Sequence, residues 1–392
     1  MEVVDQTITK KILPKSIAQR VASNFGWLIV SQAVGKGIFF ITNIYLARTL
    51  GVENFGLFTL AQAITFYLWL AVDLGTSMYG IREIANDKEN VRVLINPLIT
   101  MRVVAGVVMF SVYMLVLVVL NMPWQNKLVF AGCGLYLVSY AFYPDWVLKG
   151  LEEFKSVAYG SLTSSLAFLG GILGFVHGRE DSTIAAVIWS GSYFLGSSLL
   201  HYFLVWKQGI QFRPAFNLAT WWRHLQESLF FSLSAASILL YRYLAIIFLS
   251  IYFSKYEVGL FAAPYRILLA VTGIGSLIAT SFYPVLSHLY STDNLRFHKV
   301  RSLYLMLMLA IGLPLSFLGS TFSGSIVGAL LGKDYFESIR AFATLAWLVP
   351  LCWCAHGLAT SLSAMRLQRH AGIGSLCSTT VSYTHLTLPT KA

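Results

Sequence analysis

The sequence predicts an all-α polytopic membrane protein: two pseudo-symmetric six-helix bundles around a central cavity, the second of them truncated. Three observations predict it. Of 392 residues, 57% are hydrophobic and only 11% charged, whereas a soluble domain carries roughly 25% charged residues. Ten apolar runs reach the roughly 20 residues that a helix needs to cross the hydrocarbon core. A short motif also recurs at equivalent places in the two halves. This composition excludes a soluble globular domain, a disordered chain and a disulfide scaffold. The four cysteines sit in apolar surroundings that suit packing better than metal or redox work.

Residues 1–23 carry Lys10, Lys11, Lys15 and Arg20 but no apolar run, so they are expected to be a cytoplasmic N-terminal segment with no cleaved signal. Six spans follow over 24–206, the N-lobe: 24–47, 56–80, 95–120, 127–148, 157–177 and 183–206. A cytoplasmic linker takes 207–227. The C-lobe, 228–369, holds four spans at 228–252, 258–286, 302–320 and 340–363. The charged loop 81–94 suits an amphipathic helix on the membrane face, and the short Gly-rich stretch 321–339 suits a re-entrant or interfacial helix.

Charge fixes the orientation. With these spans, eighteen Lys and Arg fall on the N-terminal side, among them Arg82, Lys88, Arg92, Arg102, Lys149 and Lys155. The opposite side holds six: Arg48, Lys127, Arg179, Lys255, Lys333 and Arg340. Cytoplasmic loops hold the excess of Lys and Arg, so the N-terminus is inside. The surplus cations are thus topology determinants, and nucleic acid is excluded as a partner.

The repeat lies just after an outer Glu. Glu53-Asn54-Phe55-Gly56-Leu57-Phe58 leads into the second span and Glu257-Val258-Gly259-Leu260-Phe261 into the eighth, with Gly-Leu-Phe displaced by 203 residues. Two blocks of even span number are parallel copies, and a cavity lies between such bundles. The second block lacks its last two spans. Residues 370–392 are read as an incomplete span and an anomalous tail, of the kind left by read-through or a frameshift.

Three cations fall inside spans. Lys36 lies mid-way along 24–47, and Arg242 near the middle of 228–252, within two or three residues of the equivalent register. At 1.5 Å rise that is roughly 3–5 Å in depth. Arg266 follows Pro264 by two residues in the eighth span. Each costs about 2.5–3.5 kcal/mol at a helix centre. One deep acid, Asp73, cannot neutralise three bases, which points to a wet, positively charged cavity for an anion; a cation exporter would show inward carboxylates. Gly328–Asp334 lacks the spacing of a phosphate-binding loop, no histidine pair suits a metal, and His356 is expected to be a packing residue. No cofactor and no enzymatic activity are expected.

Leu46-Ala47-Arg48-Thr49-Leu50-Gly51 through Phe58, Glu257–Arg266, Pro284-Val285-Leu286-Ser287 and Leu331-Gly332-Lys333-Asp334-Tyr335 resemble O-antigen and polysaccharide flippases. These are the polysaccharide transporter branch of the superfamily that includes multidrug exporters and lipid II flippases. The resemblance spans about residues 20–370. It implies twelve or more spans in the bacterial inner membrane and alternating access. It also implies a substrate linked to undecaprenyl diphosphate, with membrane lipids and polysaccharide polymerase machinery as partners. On that basis Lys36, Arg242 and Arg266 would hold the diphosphate, Asp73 would tune or pair one of them, and Arg48 would guard the outer mouth. A monomer is expected. The alternative is a multidrug or small-solute antiporter on the same scaffold; an integral-membrane polymerase would need outer-loop catalytic residues that are not found. Reporter fusions test the orientation: a fusion at residue 85 should report a cytoplasmic location and one at residue 180 an extracytoplasmic one.

Overall fold

A computed structural model of the chain describes residues 15–365 and Leu367. The expectations for residues 1–14 and for the incomplete span and tail at 370–392 lie outside the described residues. All regular structure among the described residues is helical, and seven of these helices are long and apolar enough to cross a membrane.

α1 (Lys15–Asp73) contains both of the first two expected spans, bent at Gly51 (φ 70°, ψ 174°), a conformation that only glycine adopts freely. Its apolar part has 45 residues, about 67 Å at 1.5 Å per residue and so twice the hydrocarbon thickness. The second span was expected to run to residue 80. It stops at Asp73 because Leu74 and Gly75 both take positive φ, 43° and 77°. α2 (Thr76–Asn86) takes the end of the expected second span and the first six residues of the loop 81–94, burying Tyr79, Gly80 and Ile84 and leaving Arg82 exposed, while residues 87–90 form a non-helical connector and 91–94 begin the next helix.

α3 (Val91–Val119), α6 (Phe154–Phe175), α7 (Ser182–Gln208), α9 (Lys255–Thr292) and α10 (Asn294–Thr321) fall where single spans were expected. α8 (Leu218–Tyr252) begins ten residues earlier than its apolar run. The fourth span is split into α4 (Trp124–Ala141) and α5 (Asp145–Gly150), the break falling at Pro144, which has no N–H to continue the ladder. The stretch 321–339 forms α11 (Ser323–Leu330) and a 3₁₀ turn over Lys333–Ser338 rather than one helix. The last span is split into α12 (Ile339–Ala346) and α13 (Leu348–Ala364), because the ring of Pro350 excludes the carbonyl of Ala346 four residues back. α9 opens with a capping box between Ser254 and Glu257.

An aromatic column fills the N-terminal helices: Trp189 stacks on Tyr136 at 4.7 Å, and Tyr140 stacks on Tyr136 and Tyr143 at 5.1 Å each. A second core of Leu286, Phe297, Tyr304 and Trp353 joins α9, α10 and α13. The two sets meet chiefly where α1 lies against α9.

The recurring glycines explain how closely. A Cβ on Gly56 would collide with the carbonyl oxygen of Lys255 and the backbone of Gly259, and one on Gly259 with the carbonyl oxygen of Val52. Each copy of the repeat thus supplies a bare backbone face to the other. Around this contact the Gly51 end is laced by Lys255–Glu53 at 2.9 Å, Arg179–Asp334 at 2.9 Å and the Tyr335 hydroxyl donating to the Ala47 carbonyl at 3.0 Å. The opposite end is joined differently: Gly75 abuts the backbone of Ser228 and Ser232, and the Tyr79 hydroxyl meets His224 Nδ1 at 3.0 Å. Burial pushes the His224 imidazole below its usual range, which favours the neutral ring there.

Gly259→Val should separate the two sets of helices at the Gly51 end and lower stability by about 1–3 kcal/mol, read as an earlier thermal transition in detergent. Gly174→Ala, which meets nothing within 4 Å, should leave the transition in place.

Candidate functional site

The structure brings Lys36, Arg242 and Arg266 together and separates Asp73 and Arg48 from them. Lys36 leaves the first limb of α1 toward α9: its Nζ donates to Ser276 Oγ at 3.3 Å, and its chain passes Gly273. Arg266, on α9, donates to Gln62 Oε1 on the second limb of α1. Its guanidinium also covers the Phe39 ring, 5.7 Å from the centroid. Pro264, inside α9, removes one backbone donor a half-turn before Arg266. Arg242 projects from α8 with its side chain exposed, while its backbone carbonyl accepts from the Tyr265 hydroxyl at 3.0 Å. It stands close enough to Lys36 and Arg266 to repel both electrostatically.

The side-chain acceptors of Lys36 and Arg266 are neutral oxygens. Among the described residues no carboxylate forms an ion pair with Lys36, Arg242 or Arg266. Three positive charges thus come from three helices, with Arg242 acting on both of the others, and charge-assisted hydrogen bonds to phosphate or carboxylate oxygens are what such groups make.

Asp73 departs from expectation. It pairs with Arg102, not with a cation of the trio: Arg102 Nη2 lies 3.3 Å from Asp73 Oδ1, with side-chain exposures of 0% and 5%. Arg102 Nη1 also donates at 2.8 Å to Ser77 Oγ, which donates to the same carboxylate. Arg102 had been counted as a loop cation. It falls inside the expected third span, 95–120, and in α3 it is buried beside the Trp146 ring.

Arg48 stays exposed at the Gly51 end, where it donates to the carbonyls of Leu330 (2.8 Å) and Ala329. It caps the C-terminus of α11, where the carbonyl ends attract positive charge. That contact ties α1 to the C-terminal helices at the mouth assigned to it.

Sequence reasoning missed two residues. His356 on α13 had been read as a satisfied packing residue, yet its Nδ1 is buried without a partner, and Lys36 and Arg242 both act on it electrostatically. Its helix packs so that Trp353, one turn earlier, lies on Gly275 and donates to the Val271 carbonyl at 3.3 Å. That puts His356 beside the stretch of α9 that receives Lys36. Gln62, only 1% exposed, holds Arg266. A polar residue at helical spacing in an apolar run was the signal in both cases. On the far side of Lys36, Gly35 faces Ser161 and Ser165. There a cavity of about 70 Å³ is lined by serines 161, 164, 165 and 192 with Tyr143 and Tyr193, and Phe39 forms the wall it shares with Arg266.

A family model described as polysaccharide biosynthesis protein matches residues 21–290. A relative from Escherichia coli strain K12, described as "Putative O-antigen transporter", is 28% identical over 269 residues. The match covers 67% of this chain and 64% of that relative, so the chain spans a little under two thirds of its length. Among solved structures, the lipid II flippase MurJ in an inward closed conformation superposes with a TM-score of 0.61 at 13% identity, over 89% of this chain and 78% of that one. An inward-facing multidrug transporter of the MATE family gives 0.60 at 16% identity, over 87% and 82%. These two likenesses establish the fold.

Asp73→Asn leaves the Arg102 charge buried without its counter-ion. It should destabilise the protein by about 3–5 kcal/mol, and Asp73→Asn with Arg102→Met together by less. Thermal unfolding of Asp73→Asn, Arg102→Met and the double variant beside the parent protein measures the coupling.

Proposed function

Since this chain belongs to the polysaccharide biosynthesis protein family, we propose that it is a membrane flippase for a glycan carried on a lipid diphosphate, working by alternating access. One observation carries this reading: Lys36, Arg242 and Arg266 lie on long apolar helices, Arg242 acts electrostatically on both of the others, and among the described residues none of them is ion-paired to a carboxylate. Two linked, doubly esterified phosphates offer several oxygens and two negative charges, so they can neutralise two of the three cations and accept hydrogen bonds from all of them, as one carboxylate cannot. The lipid chain stays in the bilayer, and the sugar next to the diphosphate can lie against the serine and tyrosine cavity beyond Phe39. His356 completes the ring of donors from α13, and Gln62 and Ser276 orient the cations between loads.

The bias of Lys and Arg supports an N-terminus in the cytoplasm of the bacterial inner membrane, which makes the Gly51 end extracytoplasmic. That end is the one laced shut by the repeat glycines, Arg48, Lys255–Glu53 and Arg179–Asp334. The arrangement therefore corresponds to a state closed to the outside, before delivery. Arg48 acts as a latch of that mouth and Asp73, through Arg102, as an internal brace of the N-terminal helices. A monomer contains all of these groups, and polymerase machinery would receive the product. The multidrug antiporter shares the fold, but a positive cavity repels the cations that such a protein would export.

Cells with this chain as their sole flippase should lose surface polysaccharide when Arg242 and Arg266 are both replaced by alanine, by tenfold or more on a blot of the extracted glycan. Arg340→Ala, exposed outside the site, should leave it unchanged. Normal export by the double variant, present at parental levels in the membrane, would refute the reading.

A further inference from the structure

A second built site lies away from the cation trio. Between α3, α7 and the connector 209–217 is a cavity of about 400 Å³, within the size range of small-molecule sites. Its interior is mostly apolar, from Ile95 and Ile99 of α3, Leu204 of α7, and Ile210 and Phe212 of the connector, with His201 at its edge.

The connector forming one wall is held in place. Gly209, at φ 62°, closes α7, and the Ile210 N–H returns to the Leu204 carbonyl at 2.9 Å. Arg92 donates to the Gly209 carbonyl at 2.7 Å, the Arg213 N–H to Asn96 Oδ1 at 3.0 Å, and the Ala215 N–H to Thr100 Oγ1 at 3.0 Å. Those same bonds hold two exposed arginines next to the cavity: Arg92, which is bonded to Gly209, and Arg213, which follows the lining residue Phe212.

The level is set by aromatics. Tyr202 and Trp206 of α7 are 55% and 77% exposed beside this cavity, as side chains of the membrane–water interface are. We infer that the cavity is a binding site for an anionic phospholipid of the cytoplasmic leaflet, with an acyl chain in the apolar slot and the phosphate on Arg92 and Arg213. A purely apolar slot would accept any chain; the paired guanidiniums select a headgroup with net negative charge. This site stands independently of the flippase reading.

The test uses the purified full chain, stripped of lipid in detergent. Phosphatidylglycerol should raise the melting temperature by several degrees and survive as a bound adduct in native mass spectrometry, whereas phosphatidylcholine should do neither. Arg92→Ala with Arg213→Ala should remove the preference. Ile99→Trp, which fills the slot without touching either arginine, should remove the adduct. Equal shifts from the two lipids, or an adduct that persists in both variants, would overturn the proposal. So would displacement of phosphatidylglycerol by an equal amount of farnesyl phosphate, since that would assign the slot to an isoprenoid.

Discussion

Everything in this chain is subordinate to the difficulty of keeping a full positive charge where water is scarce. Lys36, Arg102, Arg242 and Arg266 lie within long apolar helices, and the structure treats them in two ways. Arg102 is given a carboxylate, a hydroxyl and an aromatic face, and vanishes electrically into the packing. Lys36 and Arg266 receive neutral acceptors, and Arg242 is exposed with no carboxylate ion-paired to it among the described residues, so the charge of all three survives. A neutral oxygen orients an ammonium or guanidinium without cancelling it, and the repulsion among three such groups persists until a ligand relieves it.

The helices are arranged around that distinction. Each member of the trio comes from a different element: α1, α8 and α9. None can therefore be displaced without changing how the N-terminal and C-terminal helices meet. Gln62 and Phe39, both on α1, reach across to Arg266 on α9, and Ser276 on α9 reaches back to Lys36 on α1. Binding and the relative placement of the two sets of helices are thus expressed in the same contacts, which is the physical requirement for a ligand to shift a conformational equilibrium.

The helical membrane architecture was legible because apolar length and loop charge are one-dimensional properties. The trio was legible for the same reason: a Lys or Arg inside an apolar run is conspicuous. Partners were not. Asp73 and Arg102 are 29 positions apart and meet because Leu74 and Gly75 turn the chain after α1 and α3 packs back beside it; no periodicity encodes that. The breaks at Phe142–Pro144 and Trp347 were hidden within runs whose hydropathy never falters, although the prolines beside them were visible. His356 was misread since a lone imidazole among Leu, Cys and Ala ordinarily packs. Only the approach of α1 and α8 gives it charged neighbours.

The two repeat glycines carry a consequence for motion. Interlocked side chains must change rotamer before helices can part, and each such change adds friction. Where Gly56 meets Gly259 the surfaces are plain backbone, flush and without teeth, so they can roll or lift apart with no prior rearrangement. The resistance to opening then resides in the few charged links around them, which water can take over one at a time. Duplication of an ancestral half would have supplied that smooth bearing on both sides at once.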